Sequence, residues 1–255
     1  MKPEPVDFRA LYDGKIAEYI ERRDPNSYSA QRIALEVREF KIPNLVSVLP
    51  PNFTYNTIAE VGCATGELIA TFPGVDIRRR VGFDLSRLNI ESARKRFPNT
   101  TFVTDPEQFY RDQYDLLILS DILEHVPDDT QMLREASKVA KILLINLPLE
   151  KCLTYLFRRY GPDDPSGHLR WYSLSDGLRL FASADLRVIA HTRVWVMETR
   201  YELMRQELNR QLLGAPFSGG RITRGGKRLF FTFCNSFQPV GRLVFPSNLF
   251  ASLAP

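Results

Sequence analysis

Several features that would place the chain in another class of protein are missing from its sequence. It has only three cysteines, Cys63, Cys152 and Cys234, too few and too scattered for a disulfide framework or a zinc site. Its longest uninterrupted apolar runs span four residues, far short of the ~20 that cross a bilayer. The N-terminus reaches charged residues at once, without the apolar stretch of a secretory signal. We therefore expect a soluble, cytoplasmic protein.

A strong excess of one charge is also lacking. The 255 residues include 34 basic and 30 acidic side chains, a net charge of +4. This balance is weak support for nucleic acid or an anionic membrane as a partner, and we expect no DNA partner. With 44% hydrophobic and 25% charged residues, the composition excludes a wholly disordered chain. The length suits one α/β domain with additions.

The chain divides into two regions that differ in composition and hydrophobic pattern. Residues 1–55 are polar and proline-punctuated, with helical spacing over 8–22 and 29–40, and we predict an N-terminal helical extension. From residue 56 to about 235, short apolar strands alternate with amphipathic helices, which is typical of a mostly parallel sheet covered by helices. The predicted strands are residues 57–61, 80–83, 101–103, 116–119, 142–146, 186–194 and 229–234.

The segment after the first predicted strand is the most informative. Small residues stand at Gly62, Ala64 and Gly66, so the backbone there can approach a ligand at the start of a helix. A dinucleotide fingerprint fits poorly, because position 64 is alanine and position 67 is Glu67, and the P-loop lysine is absent. Glu60 at the strand's end would repel a pyrophosphate and attract an ammonium group. The pattern favours a zwitterionic or cationic nucleoside as ligand.

Acidic residues follow the next strands as well. Asp84 comes 22 residues after Gly62, where a carboxylate binds ribose hydroxyls in nucleoside-binding sheets, and Asp105 follows the third strand. The fourth strand runs into the segment from Ser120 to Asp128. Because ligands of open α/β sheets bind beyond the carboxyl ends of the strands, we expect these side chains to share one site.

This ordered set resembles the class I S-adenosylmethionine-dependent methyltransferases over about residues 55–195. The letters LEHVPD at 123–128 look like the group that includes ubiquinone-biosynthesis and other small-molecule methyltransferases. The resemblance implies an α/β, Rossmann-like, seven-stranded and mostly parallel sheet with helices on both faces and an N-terminal helical lid. It also implies an antiparallel last hairpin, here 186–194 with 229–234. An insertion at 195–228 departs from the family pattern and bears on the position of the last strand, and we predict a C-terminal tail at 236–255.

The resemblance also implies residues for S-adenosylmethionine and its product S-adenosylhomocysteine. Glu60 and the backbone at the glycine turn would hold the methionine end, Asp84 the ribose, Leu85 the adenine ring and Asp105 the adenine amino group. The full set expected to bind the cofactor is Glu60, Gly62, Cys63, Ala64, Gly66, Asp84, Leu85, Asp105, Ser120 and Tyr12.

We expect methyl transfer to an oxygen or nitrogen of a small molecule, with no metal. His125 and His168 are the candidate catalytic bases, since a histidine can take the acceptor's proton near neutral pH; each can instead be structural. The alternatives are RNA or protein as acceptor, or a binding partner without catalysis. The segment from Ser120 to Leu123 lacks the Pro-Pro-aromatic motif of nucleic-acid amino methyltransferases. The basic and aromatic C-terminal region suits a membrane-surface contact less well than a solvated loop beside a buried strand.

Overall fold

The computed structural model describes residues 20–161, 164, 166–195, 200–214, 226, 229, 232–233 and 236–255. Tyr12, most of the helix predicted over 8–22, and the basic residues Arg221, Arg224, Lys227 and Arg228 lie outside these ranges. Within them, no helix is long and apolar enough to cross a membrane.

Seven strands form one sheet in the order β3-β2-β1-β4-β5-β7-β6, and all neighbours are parallel except those of β7. The predicted fold class is therefore confirmed. The strands are β1 Thr57–Val61, β2 Arg79–Phe83, β3 Thr101–Val103, β4 Tyr114–Ser120, β5 Ala140–Leu149, β6 Arg187–Trp195 and β7 Ser247–Ala254. The α-helices are α1 Tyr28–Glu36, α2 Ile42–Ser47, α3 Glu67–Thr71, α4 Arg87–Arg96, α5 Pro106–Tyr110, α6 Asp129–Val139, α7 Leu174–Ser183, α8 Arg200–Leu213 and α9 Gln238–Val244.

The central strands are apolar along their length because both faces of the sheet are covered. On one face, Ile58 and Leu116 pack with residues of the N-terminal helices such as Phe40. On the other face, Leu117 packs with residues of α6 and α7, among them Phe181. Two cores therefore fix the sheet, and the N-terminal helices belong to one of them.

The strand register sets the site. Val61 pairs with both Phe83 and Leu119, so the residues that follow them emerge at the same level of the sheet. Strand order reverses at β1, which lies between β2 and β4, and a crevice opens beyond the carboxyl ends of strands at such a point. The predicted ligand-binding edge is therefore a single crevice.

A wide turn joins the two N-terminal helices. Ser27 caps α1, and the helix continues through a π-helical turn at Val37–Lys41 into α2. Such turns are rare and frequent at functional sites. Here the turn brings Lys41 to the crevice.

The predicted position of the last strand was wrong. Residues 229, 232 and 233 are helical, with Leu229 75% and Phe233 51% exposed, whereas Ser247–Ala254 inserts between β5 and β6. The aromatic run at 229–234 has high strand propensity, but whether a segment joins the sheet depends on how well it packs between the neighbouring strands. Small residues such as Ala251 and Ser252 let the strand pack between two others. Because such residues have low strand propensity, the sequence did not indicate a strand there. Residues 236–255, predicted as a tail, thus supply β7.

We expect Phe250→Ala to lower the free energy of unfolding by about 3–5 kcal/mol, because a fully buried ring is lost and leaves a cavity. Phe250 packs edge-on against Phe40 at 5.4 Å between ring centroids, so the change also loosens the N-terminal helices. Leu229→Ala, in the exposed segment, should change stability by about 0.5 kcal/mol or less. Urea unfolding of both variants measures this. A larger loss for Leu229→Ala would contradict the position of β7.

Candidate active site

A cavity of about 1080 Å³ lies beyond the carboxyl ends of β1, β2 and β4. Most of the residues predicted to bind the cofactor or act as base line it, namely Glu60, Gly62, Cys63, Ala64, Asp84, Leu85, Ser120, His125 and His168. The structure gives Gly66 and Asp105 other positions. Asp105 is exposed and caps α5, accepting a hydrogen bond from the Glu107 N–H (2.9 Å).

The turn after β1 requires its small residues. Gly62 has a φ of +73°, and a Cβ there would lie 2.8 Å from the Cδ1 of Ile122. Ala64 also has a left-handed φ of 46°, an uncommon conformation for a residue with a side chain. Gly66, at φ +86°, begins α3, and its Cβ would lie 2.6 Å from the ring of Phe102. Gly66 therefore serves helix packing, while positions 62 and 64 face the cavity.

Asp84 is tied to this turn from the end of β2. Its Oδ2 accepts a hydrogen bond from the Ala64 N–H (2.8 Å), and its Oδ1 accepts one from the Ser86 N–H (2.8 Å). Burial raises the pKa of Asp84, and these two hydrogen bonds oppose the rise. A carboxylate offers about four lone-pair sites, so two remain for a ligand after these contacts.

Glu60 is buried at the end of β1, with 4% exposure. Its Oε2 accepts a hydrogen bond from the Ile69 N–H in α3 (3.0 Å). Burial raises its pKa to about 8, although Lys41 and the Ile69 N–H oppose the rise. A nearby ammonium group would favour its charged form.

Lys41 is a cavity residue that the sequence reasoning missed, and it pairs with Asp121, which belongs to the segment from Ser120 to Asp128 that we expected at the site. The Nζ of Lys41 lies 2.7 Å from Oδ2 of Asp121 and 3.6 Å from Oε1 of Glu36. Burial lowers the pKa of Lys41, but its ion pairs with Asp121 and Glu36 outweigh this and hold the pKa above its ordinary value. Asp121 has a left-handed φ of 53° and also accepts a hydrogen bond from Nδ2 of Asn146 (3.0 Å). The π-helical turn that positions Lys41 has no sequence signature we could read.

The far end of the cavity holds both candidate bases. The rings of His125 and His168 meet edge-on, with centroids 4.7 Å apart. The Nδ1 of His125 lies 3.1 Å from the carbonyl oxygen of Gly167, and the Nδ1 of His168 lies 2.8 Å from Oε2 of Glu150. Burial and the neighbouring His168 together lower the pKa of His125 to about 4, although its contact with the Gly167 carbonyl opposes the shift. His125 is therefore neutral at physiological pH.

Glu150 is in turn held by Arg158, a contact that sequence reasoning did not anticipate. The NH1 of Arg158 lies 2.8 Å from Oε1 of Glu150, while its Nε and NH2 bind the two carboxyl oxygens of Asp164 at 2.9 Å. Asp164 also accepts hydrogen bonds from the N–H groups of Ser166 and His168. This network ties the loop after β5 to the imidazole of His168. The four residues of this network, Glu150, Arg158, Asp164 and His168, do not form a recognisable sequence motif.

Comparison with known proteins identifies the class. A family model described as a methyltransferase domain matches residues 33–191, and the chain belongs to that family. Together with the fold, this makes the protein a class I S-adenosylmethionine-dependent methyltransferase. The cofactor of this class is S-adenosylmethionine. A search of the curated proteins found no match to the sequence.

Solved structures share the fold at low sequence identity. Magnesium protoporphyrin IX methyltransferase (ChlM) from Synechocystis PCC 6803, with bound S-adenosylmethionine, has a TM-score of 0.56 and 12% identity, with 99% of each chain covered. The cyclopropane synthase MmaA2 from Mycobacterium tuberculosis has a TM-score of 0.55 and 13% identity, with coverage of 93% of this chain and 88% of that one. The [4+2]-cyclase SpnF has a TM-score of 0.56 and 14% identity, with coverage of 97% and 95%. At these identities the likeness shows the fold alone.

The raised pKa of Glu60 predicts a stability that falls with pH. A carboxyl whose pKa is higher in the folded chain than in the unfolded chain stabilises the fold below the unfolded value of about 4.5, and this contribution is lost as pH rises through about 8. Glu60→Gln cannot ionise and keeps an acceptor for the Ile69 N–H. Without cofactor, we expect the variant to gain stability over wild type between pH 5 and 9, by on the order of 3 kcal/mol.

Thermal unfolding across this pH range measures the difference. Lys41, Glu67 and Asp84, the charged groups around Glu60, are present in both proteins, so their titration largely cancels. Glu107→Gln, at an exposed position, is the control and should follow wild type at every pH. A difference between Glu60→Gln and wild type that does not vary with pH would mean that Glu60 is charged in the folded protein throughout.

Proposed function

We propose that the protein transfers the methyl group of S-adenosylmethionine to an oxygen or nitrogen of a small molecule. The observation that carries this proposal is that one cavity joins the turn at Gly62 and Asp84 to the histidine pair. Its volume of about 1080 Å³ is at the upper end of small-molecule sites, ~300–1000 Å³, so it has room for a cofactor and a second small molecule.

The residues at one end fit the cofactor. The turn at Gly62 and Ala64 leaves backbone exposed where side chains would fill the space, and Glu60 lies beside it to face the ammonium group of the methionine end. Asp84 has acceptor capacity for the ribose hydroxyls, and Leu85 lines the same region for the adenine ring. When bound, the cofactor supplies an electrophilic methyl group whose departure leaves the carbon–sulphur electron pair on sulphur.

The histidine end fits the acceptor. A hydroxyl or protonated amine must lose its proton as the new bond to the methyl carbon forms, and a positioned base contributes typically ~10²–10⁴-fold to such a step. Glu150 holds Nδ1 of His168, which orients the imidazole. His125 packs against it edge-on, but its lowered pKa makes it a weak base, so His168 is the first candidate to receive the proton.

The N-terminal helices close the cavity from the side opposite the sheet. Arg22, Ile33 and Lys41 line it, and the ion pairs of Lys41 hold this segment to the loop after β4. A covered site excludes water from the reacting atoms, which strengthens electrostatic interactions inside it. This cover suits a small acceptor better than RNA or a protein surface, which remain the alternatives together with a binding partner without catalysis.

Titration calorimetry with S-adenosylmethionine and S-adenosylhomocysteine tests the cofactor site. We expect Asp84→Ala to weaken binding by about 100-fold or more, because charge-assisted hydrogen bonds are worth about 1.5–3 kcal/mol each and two would be lost. Asp105→Ala should bind within about twofold of wild type, because Asp105 caps a helix at the surface. Asp84→Asn, which keeps the shape, controls for loss of structure. Absence of binding by wild type would refute the proposal.

Formation of S-adenosylhomocysteine with a panel of acceptors tests the substrate class. The panel compares small molecules (phenols, carboxylic acids and amines) with macromolecules (total RNA and denatured cell protein). We expect turnover only with members of the small-molecule set, and a loss of about 10²-fold or more in His168→Asn, with cofactor affinity retained. His191→Asn changes an exposed histidine on β6 and is the matched control. Turnover confined to RNA or protein would move the acceptor to the macromolecular class.

A further inference from the structure

We propose that Glu124, His125 and His168 form a binding site for a first-row divalent transition metal ion, with Zn²⁺ as the test ion, at the acceptor end of the cavity. One ligand atom from each residue lies within 4.8 Å of the other two. All three residues line the cavity. The sequence predicted both histidines as candidate bases, but no spacing motif joins them to Glu124 as a set of metal ligands.

Glu124 is the residue that most needs an explanation. It is 1% exposed, and neither carboxyl oxygen accepts a hydrogen bond from another residue in the part of the chain that the structure describes. Its ion-pair contact is with Nε2 of His125 at 3.8 Å, which is beyond hydrogen-bond distance. A buried carboxylate is costly unless it is paired or coordinates a metal. A cation bound here would supply the missing partner.

Other acidic groups of the cavity already have cations. Asp121 pairs with Lys41 at 2.7 Å, and Glu150 pairs with Arg158 at 2.8 Å. Lys41 lies beside Asp121, and the carboxyl groups of Asp121 and Glu150 add to the negative field at Glu124. The local charge therefore favours a positive ion beside Glu124.

The two imidazoles are oriented as metal ligands commonly are. When Nδ1 of His125 carries the proton, it donates to the carbonyl oxygen of Gly167, and Nε2 holds the lone pair on the side of Glu124. Nδ1 of His168 donates in the same way to Glu150, which leaves its Nε2 to bind. Ligating histidines almost always donate the other ring N–H to a carboxylate or carbonyl, and both kinds of acceptor are present here.

The donor set indicates the class of ion. Two imidazoles and a carboxylate suit Zn²⁺ or Fe²⁺ better than Mg²⁺ or Ca²⁺, which prefer oxygen ligands alone. Bonds of about 2.0–2.2 Å place ligand atoms about 3.4 Å apart in a tetrahedral site, so the three side chains close by about 1 Å on binding. With three protein ligands, at least one position remains open toward the cavity.

The use of this ion in the reaction rests on the proposed function; its binding does not. An open coordination position would take a hydroxyl oxygen of the acceptor and lower the pKa of that hydroxyl. The two histidines would then hold the ion, and the proton of the acceptor's hydroxyl would pass to solvent water instead of to an imidazole. This deepens the proposed function, because it favours an oxygen over a nitrogen as the methyl acceptor.

Metal binding is measured on the untagged full chain after treatment with a chelator, by Zn²⁺ titration in competition with a chromophoric chelator. We expect one Zn²⁺ per chain in wild type and in His191→Asn. Glu124→Gln and His168→Asn should each weaken binding by about 100-fold or more. Glu150→Gln, which alters the partner of His168 and removes the charge that faces Arg158 but leaves the three ligands in place, should weaken it by about 10–100-fold. Circular dichroism establishes which variants fold, and His168→Asn, at a less buried position, carries the test if Glu124→Gln does not.

Co²⁺ provides a second readout, since visible absorption bands report ligands at the ion. We expect these bands in wild type and in His191→Asn, and not in His168→Asn. Equal Zn²⁺ affinity in wild type and Glu124→Gln, or no Zn²⁺ binding by wild type, overturns the site. Calorimetry with S-adenosylmethionine on the same wild-type sample separates the two proposals. Zn²⁺ binding without cofactor binding refutes the proposed function alone, and cofactor binding without Zn²⁺ refutes the metal site alone.

Discussion

The ion pair between Lys41 and Asp121 is the interaction on which the site depends. Four carboxyl groups, those of Glu60, Asp84, Asp121 and Glu124, lie in one mostly buried crevice. Burial raises the pKa of Glu60 and Glu124, and neighbouring carboxyl groups add to the rise. The Lys41 ammonium lies 2.7 Å from Asp121 and also favours ionised Glu60 and Glu124. A buried charge is tolerated when it is paired, and one lysine thus serves several carboxyl groups.

The fold explains why this lysine comes from the N-terminal helices. The carboxyl ends of parallel strands lie at one edge of the sheet, and here acidic residues follow them. The backbone at this edge offers N–H groups but no full positive charge. The cation has to arrive from an element that crosses that edge. The π-helical turn at Val37–Lys41 does this, while Phe40 in the same turn packs edge-on against Phe250 of β7. The turn therefore places Lys41 beside the acidic residues of the site and also packs the N-terminal helices against the last strand of the sheet.

Much of the site was predictable because it follows from local rules. Glycine and small residues at a turn, and a carboxylate after each strand, are visible in sequence, and the structure brings Glu60, Gly62 and Asp84 together as expected. Lys41 and Glu150 were missed, and no role was assigned to Glu124 within the predicted segment from Ser120 to Asp128, because these roles come from contacts between distant segments. The last strand was misplaced for the same reason: burial between β5 and β6, rather than aromatic content, makes Ser247–Ala254 a strand. Asp105 shows the converse, since an acidic residue at a strand end can simply cap the next helix.

The carboxyl groups at the two ends of the cavity differ in their hydrogen-bond donors, and this difference indicates which ligand each end can bind. Near the glycine turn, Asp84 is held by two backbone N–H groups and Glu60 by one, so these carboxyl groups are oriented but only partly neutralised. That arrangement suits a ligand with an ammonium group and ribose hydroxyls. At the far end, Glu124 has no hydrogen-bond donor among the described residues, whereas two imidazoles are fixed by acceptors of their own. Positive charge is therefore needed at both ends, as part of the cofactor at one and as a coordinated ion at the other.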